Sequence, residues 1–121
     1  MRVFALRGAI SVDRNDAQEI HEATATLMRE IMQRNALRPE DVVSCIFTAT
    51  NDLDAEFPAA AARALGFDGV PLLCAREMAV PDAMPRVIRV LIHYHAGEGH
   101  RAKHVYLREA SALRGDLKAA Q

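Results

Sequence analysis

The sequence is poor in the features that mark the commoner cofactor and nucleic-acid sites. Its two cysteines, Cys45 and Cys74, form no C-x-x-C pair, so we expect neither a zinc site nor a disulfide framework, but a reducing, cytoplasmic setting. A G-x-G-x-x-G loop, a Walker loop and a G-x-S-x-G elbow are all missing, which leaves a nucleotide site or a serine hydrolase without support. The 15 basic and 16 acidic residues nearly cancel, which argues against a nucleic-acid partner.

Long hydrophobic runs are missing too. Charges interrupt every apolar stretch, so the sequence predicts neither a membrane-spanning helix nor a signal peptide. What remains is a globular composition, because 50% of the 121 residues are hydrophobic and 26% are charged. No repeat or shift in composition marks a boundary. We therefore predict one domain over residues 1–121, with a short C-terminal tail from about 111.

Hydrophobic periodicity predicts the order β-α-β-α-β-β-β, an α/β (α+β) fold in which a mixed sheet carries helices on one face. Asn15 is the expected N-cap of the first helix, and Gly8 indicates a bulge or a close backbone approach in the first strand. The other sheet face, with Val87 and Leu91, needs a cover, which favours a closed homo-oligomer. The predicted strands are 2–12, 42–50, 70–74, 86–95 and 104–109, and the predicted helices are 16–35 and about 57–65.

Two arginines occur within predicted strands that are otherwise largely apolar. Thirteen of the 15 basic residues are Arg; Arg7 interrupts the first strand and Arg89 stands within the most hydrophobic stretch. A guanidinium buried among apolar side chains needs an anionic partner. Glu77 or Glu109 is one candidate partner, and a ligand with carboxylates or a developing negative charge is the other.

Other candidate groups are less distinctive. Glu77 follows the third strand, where loop residues often carry chemistry, and the phenol of Tyr106 is able to bind a carboxylate. Cys74 is more typical of a small buried hydrophobe than of a nucleophile, since no motif supports a Cys-His dyad. The histidines have no Asp or Cys that completes a ligand set, so we expect no metal site.

Taken together, these positions resemble the small, trimeric α/β class of monofunctional chorismate mutase, from about residue 2 to Leu117. Each motif alone is weak, but all of them occur in order and at near-constant spacing. The motifs are Arg-Gly-Ala at 7–9, Pro-Glu-Asp-Val-Val at 39–43, Thr-Ala-Thr-Asn-Asp-Leu at 48–53, Phe-Pro-Ala at 57–59 with Arg63, Val-Pro at 70–71, Cys-Ala-Arg-Glu-Met at 74–78, Ile-Arg-Val at 88–90, His-Val-Tyr-Leu at 104–107 and Leu-Arg-Gly-Asp-Leu at 113–117.

The resemblance implies a homotrimer whose sheets pack into a pseudo-barrel, with an active site in each cleft between neighbours. It implies the rearrangement of chorismate to prephenate, on the route to phenylalanine and tyrosine, without cofactor or metal. Chorismate and prephenate are then the small-molecule partners, with no nucleic acid and no membrane. Two alternatives stay open: an imine or enamine deaminase of the related trimeric fold, and a non-catalytic binding module for an aromatic-pathway acid.

The resemblance also implies roles for single residues. Arg89 is similar to the arginine that binds the ether oxygen of the breaking bond, and Glu77 and Cys74 to the pair that contacts the ring hydroxyl. Arg7 and Tyr106 match groups that hold a carboxylate. The remaining cleft residues implied by the resemblance are Phe57, Arg63, Leu73, Ala75, Arg76 and, in the tail, Arg114. Ala60 stands where some relatives carry a Lys, so one cation is missing from this cleft.

An arginine-rich site suits this reaction on physical grounds. A [3,3] rearrangement needs no nucleophile, proton transfer or redox group. It needs a compact conformer and stabilisation of the charge that separates across the breaking C–O bond. A rate gain of ~10⁶ requires about 8 kcal/mol, of which one fixed donor at the developing oxyanion supplies on the order of 3–4 kcal/mol.

Overall fold

The computed structural model describes residues 1–113, in which a five-stranded mixed sheet carries two α-helices on one face. Among these residues no helix has the length and apolar character needed to cross a membrane. The implied cleft residue Arg114 lies outside the described residues. The elements are β1 (Arg2–Ser11), α1 (Ala17–Asn35), β2 (Val42–Ala49), α2 (Pro58–Ala64), β3 (Leu72–Arg76), β4 (Val87–Ala96) and β5 (Val105–Leu107), with 3₁₀ turns at Pro39–Asp41, Phe67–Gly69 and Arg108–Ala112.

The strands lie in the order β3-β2-β4-β1-β5. β4 pairs antiparallel with both β1 and β2, while β3 and β5 are parallel edge strands beside β2 and β1. The mixed sheet and the element order are as predicted, but most element boundaries differ from the prediction by one or two residues. β3 continues to Arg76, because Ala75 and Arg76 pair with the end of β2. β5 ends at Leu107, because Arg108 has a φ of 56° and turns the chain out of the ladder.

Helix α1 begins one residue later than predicted. Its N-cap is Asp16, whose carboxylate accepts the N–H of Glu19 at 3.0 Å. The prediction of Asn15 as the N-cap is therefore wrong. Asn15 instead ties the helix start to the loop before α2, because its amide oxygen accepts the N–H groups of Asp54 and Ala55, each at 3.0 Å.

The helix-covered face of the sheet is closed by apolar side chains. Alternate residues of β4 that face the helices are almost fully buried, and the buried stripe of α1 packs over them. Gly8 marks a close approach, as predicted, because a Cβ there would lie 2.7 Å from Cδ1 of Ile31 and 3.2 Å from Cδ1 of Leu27. The largest buried side chains include Leu6, Ile10, Phe47, Ile88, Ile92 and Tyr94.

Among residues 1–113 no α-helix covers the opposite face, called the open face below. Leu91 lies there half-buried, and Leu73 and Val3 keep 61% and 54% of their surface exposed. The prediction that Val87 also needs an outside cover is wrong. Val87 is fully buried within the chain, because the turn at Arg108–Ala112 brings Ala110 against it and against Ala9.

Candidate active site

One row of residues crosses the open face at the level of Arg89. In the strand register Arg89 stands opposite Thr48 on one side and Ala9 on the other. Strand β3 adds Ala75 beside Thr48, and β5 adds Tyr106 beside Ala9. Because side chains alternate along a strand, all of these point to the same face, and so does Arg7, two residues before Ala9. The topology thus brings both interrupting arginines and Tyr106 to one surface.

Arg89 and Glu77 form an ion pair on this surface. Nε of Arg89 donates to both carboxylate oxygens of Glu77, at 3.0 and 3.1 Å. Thr48 adds a third contact, because its hydroxyl donates to Oε2 of Glu77 at 2.8 Å. The backbone N–H of Glu77 donates to Ala49 at 3.0 Å, which holds the loop after β3 against β2. The salt-bridge alternative is therefore realised through Glu77.

Arg89 differs from the prediction in its exposure and in its partner. The side chain of Arg89 is 42% exposed, so it is not buried among the apolar residues around it in sequence. Glu109 is not its partner; the backbone N–H of Glu109 instead binds the hydroxyl of Ser11 at 3.0 Å. Alternation explains the first error, because the apolar neighbours Ile88 and Val90 point into the core while Arg89 points away from it.

Arg7 is exposed and lies one strand away from Arg89, beside Leu91. Its backbone N–H donates to Nδ1 of His104 at 3.0 Å, just before the β1–β5 ladder begins. Burial, and then the positive charge of Arg7, lower the pKa of His104 from its ordinary value. Because Nδ1 accepts the N–H of Arg7, the ring proton of neutral His104 lies on Nε2.

Tyr106 lies half-buried on β5, where it packs beside Ala9, Val87 and Ala110. It is the residue of β5 that faces the open side, since Val105 before it points into the core. The structure therefore brings Arg7, Glu77, Arg89 and Tyr106 to one surface, which we call the open-face set.

A pocket of about 410 Å³ opens at the carboxyl ends of the parallel strands β2 and β3. Its lining includes Phe57 and Pro58 at the start of α2 and Cys74, Ala75 and Arg76 on β3. No member of the open-face set lines it. We call this cavity the edge pocket.

Of the remaining implied residues in the described part of the chain, four line the edge pocket and two, Leu73 and Arg63, do not. Cys74 is partly buried against the core, as expected of a small hydrophobe, while Phe57 is 68% exposed. Leu73 is exposed on β3, and Arg63 is exposed on α2. Cys74 lines the pocket and Glu77, with which the resemblance pairs it, does not, so the implied site residues lie mainly in two groups within one chain. Ala75 belongs to both groups, because it lies in the open-face row and also lines the pocket.

Two of the histidines contact side-chain hydroxyl groups. Nε2 of His100 lies 2.7 Å from the hydroxyl of the buried Tyr94, and Phe4 packs on both rings. Nδ1 of His93 lies 3.3 Å from the hydroxyl of Ser44. Within residues 1–113 no three His, Cys, Asp or Glu side chains are grouped as metal ligands.

Thr48 is the site residue that the sequence analysis does not single out. Threonine is common in strands, so its presence in β2 carries no signal by itself. Only the pairing of β2 with β4 places it opposite Arg89, and that long-range register cannot be obtained from local pattern.

Three comparisons with known proteins all match chorismate mutases. A family model described as chorismate mutase type I matches residues 3–117. The chorismate mutase AroH of Thermus thermophilus is 46% identical over 121 residues, covering 98% of this chain and 99% of that protein. The AroH of Bacillus subtilis is 39% identical, covering 97% and 94%. The structure of a chorismate mutase from Clostridium thermocellum superposes with a TM-score of 0.87 at 42% identity, covering 91% and 99%.

Proposed function

Because the chain belongs to the type I chorismate mutase family and is an isomerase that converts chorismate to prephenate, we propose that its active site is completed between two copies in a homotrimer. The open-face set of one copy would meet the edge pocket of its neighbour. A deaminase or a non-catalytic binding module is not favoured, since the curated relatives matched over nearly their full length are chorismate mutases.

The observation that carries this proposal is the division of the implied site residues. Arg7, Glu77 and Arg89 lie on the open face, whereas Phe57 and Cys74 line a separate cavity. A second observation supports it, because Leu73 and Val3 leave apolar surface on the open side of the sheet. A closed ring of three chains would cover that surface and bring the two groups together without leaving a free edge.

The proposed roles follow from the chemistry of each group. Arg89 would donate to the ether oxygen, which gains negative charge as the C–O bond breaks and the new C–C bond forms. Glu77 would accept from the ring hydroxyl, and Arg7 and Tyr106 would hold a carboxylate. The neighbouring copy would supply Cys74 to the ring hydroxyl and the cleft-lining residues Phe57, Arg63, Leu73, Ala75, Arg76 and Arg114.

The rearrangement keeps all atoms and electrons within the substrate. One C–O bond breaks, one C–C bond forms, and no proton moves, so the protein acts by holding a compact conformer and by fixed charge. A neighbouring copy over Arg89 would also displace water, and a hydrogen bond from a guanidinium to an oxyanion is stronger where water is excluded. We therefore expect a chelator to leave the rate unchanged.

Two further expectations, on location and on binding partners, belong to the same proposal. We propose a cytoplasmic location, which suits Cys45 and Cys74 because both thiols are unbridged. We also propose chorismate and prephenate as the binding partners, beside further copies of the chain itself.

Two measurements test the proposal. Light scattering at micromolar concentration should give about three times the 13.3 kDa chain mass, and the loss of chorismate absorbance should follow enzyme concentration. A stable monomer that retains full activity would show that one chain holds a complete site.

A further inference from the structure

In the ion pair between Arg89 and Glu77, only one of the three guanidinium nitrogens of Arg89 donates to the carboxylate. An arginine and a carboxylate frequently pair as a two-pronged fork, in which two nitrogens each meet one oxygen. Here Nε of Arg89 meets both oxygens of Glu77, at 3.0 and 3.1 Å. Neither terminal nitrogen of Arg89 makes a hydrogen bond within residues 1–113. Both are therefore available to an incoming oxygen.

A hydrogen bond from Thr48 holds Glu77 in this position. Its hydroxyl donates to Oε2 of Glu77 at 2.8 Å from the strand position opposite Arg89. The Glu77 side chain is only 14% exposed, so water offers little replacement for this donor. A carboxylate that lost the hydroxyl would be free to turn into the fork, where it would occupy a terminal nitrogen of Arg89.

We propose that Thr48 is a positioning residue for the rearrangement, because its hydroxyl keeps Glu77 on Nε of Arg89 and leaves the terminal nitrogens to the substrate. This inference rests on the proposed roles of Arg89 and Glu77. It extends them to a residue that touches neither the breaking bond nor the forming bond.

The test replaces the hydroxyl without changing the shape of the side chain. Thr48→Val removes the donor and keeps the β-branched form that suits a strand. We expect kcat to fall about tenfold, which is about 1.4 kcal/mol, because the interaction lost is one that matters only in the transition state. KM should stay within about twofold, because Arg7 and Tyr106 still hold the carboxylate. The melting temperature should fall only modestly, because the packing is kept and one hydrogen bond to Glu77 is lost.

Companion variants separate the hydroxyl from the rest of the side chain. Thr48→Ser keeps the donor and should restore kcat to within about threefold of the parent, while Thr48→Ala should lose as much as Thr48→Val. The matched control is Thr26→Val on α1, which makes the same exchange away from the open face and should leave kcat unchanged.

A double-mutant cycle with Glu77→Ala identifies the route of the effect. If Thr48 acts through Glu77, Thr48→Val should cost nothing further once the carboxylate is gone. Additive losses, an unchanged kcat in Thr48→Val, or a Thr48→Ser as slow as Thr48→Val would each overturn the inference.

Two single variants distinguish this result from a failure of the proposed function. If Arg89→Ala and Glu77→Ala keep kcat, the proposed roles themselves are wrong. If those two variants are slow and Thr48→Val is not, only the inference about Thr48 is wrong.

Discussion

The two faces of the sheet differ in how far one chain completes them. On the helix-covered face, Ile88, Val90 and Ile92 of β4 are at most 2% exposed, so these side chains need no cover from outside the chain. On the open face, the alternate residues Arg89 and Leu91 of the same strand stay partly exposed. We therefore propose that one strand serves stability with one set of side chains and chemistry with the other. Mutations one residue apart should then separate folding from catalysis.

The largest effect should come from the covered face. Ile31→Ala removes a fully buried side chain of α1 that packs beside Gly8, and we expect it to lower the free energy of unfolding by about 2–5 kcal/mol. Its folded fraction should keep the parent kcat, because α1 does not reach the open face. Urea unfolding and the initial rate measure the two quantities. Arg29→Ala, exposed on the same helix, is the control and should change stability by no more than about 0.5 kcal/mol.

The next effect should fall on the open face and on catalysis alone. Arg89→Ala should lower kcat by about 10²–10³, the scale for losing one donor to a developing oxyanion. Arg89→Lys should recover only part of this, since an ammonium cannot both contact Glu77 and replace the guanidinium plane. The melting temperature should fall little, because the ion pair is partly solvated. A variant that melts far lower but keeps kcat would make Arg89 a structural residue.

A smaller effect should appear in the pH dependence of stability. Burial and Arg7 lower the pKa of His104 below its ordinary 6.5, so the unfolded chain binds its proton more readily than the folded chain does. Stability is therefore lost as the pH falls below about 6.5. His104→Asn keeps an acceptor for the N–H of Arg7 but does not titrate. Its melting temperature should fall less between pH 7.5 and pH 5.5 than that of the parent, and parallel curves would contradict this account.

The smallest effect should belong to Cys74. Its thiol lines the edge pocket and makes no covalent bond in the proposed mechanism, so Cys74→Ser should keep kcat/KM within about fivefold of the parent. Mass spectrometry of the enzyme mixed with chorismate should find no adduct. A covalent adduct at Cys74, or complete loss of activity in the folded variant, would overturn the proposed mechanism.

The covered face could be predicted from sequence because its rules are local. The period of two in β1 and β4 and the apolar stripe of α1 identify the buried side chains, and Gly8 correctly indicates a close approach. The sequence pattern misplaces the N-cap by one residue, because Asn15 and Asp16 are both good caps. The choice depends on the distant loop at Asp54, which Asn15 binds.

The open face could be predicted only in part, since its contacts join residues far apart in sequence. The pattern identified Arg89 and Glu77 but not the exposure of Arg89 or the contact with Thr48, both of which follow from strand register. The burial of Val87 depends on where the segment after β5 folds back, and no periodicity indicates that return. The resemblance to a known family adds what local patterns cannot, namely the expectation of a neighbouring copy across the cleft.

A mixing experiment tests the central claim, that each active site is shared between two copies, most directly. Arg89→Ala disables the open face, and Phe57→Asp places a negative charge in the edge pocket against a substrate with two carboxylates. The two inactive proteins are co-expressed with different tags, and native mass spectrometry confirms mixed trimers. If each site takes its two halves from adjacent copies, about one quarter of the sites in an equal mixture are intact, and about one quarter of the parent activity should return. Activity that stays at the level of the separate variants would contradict a shared site.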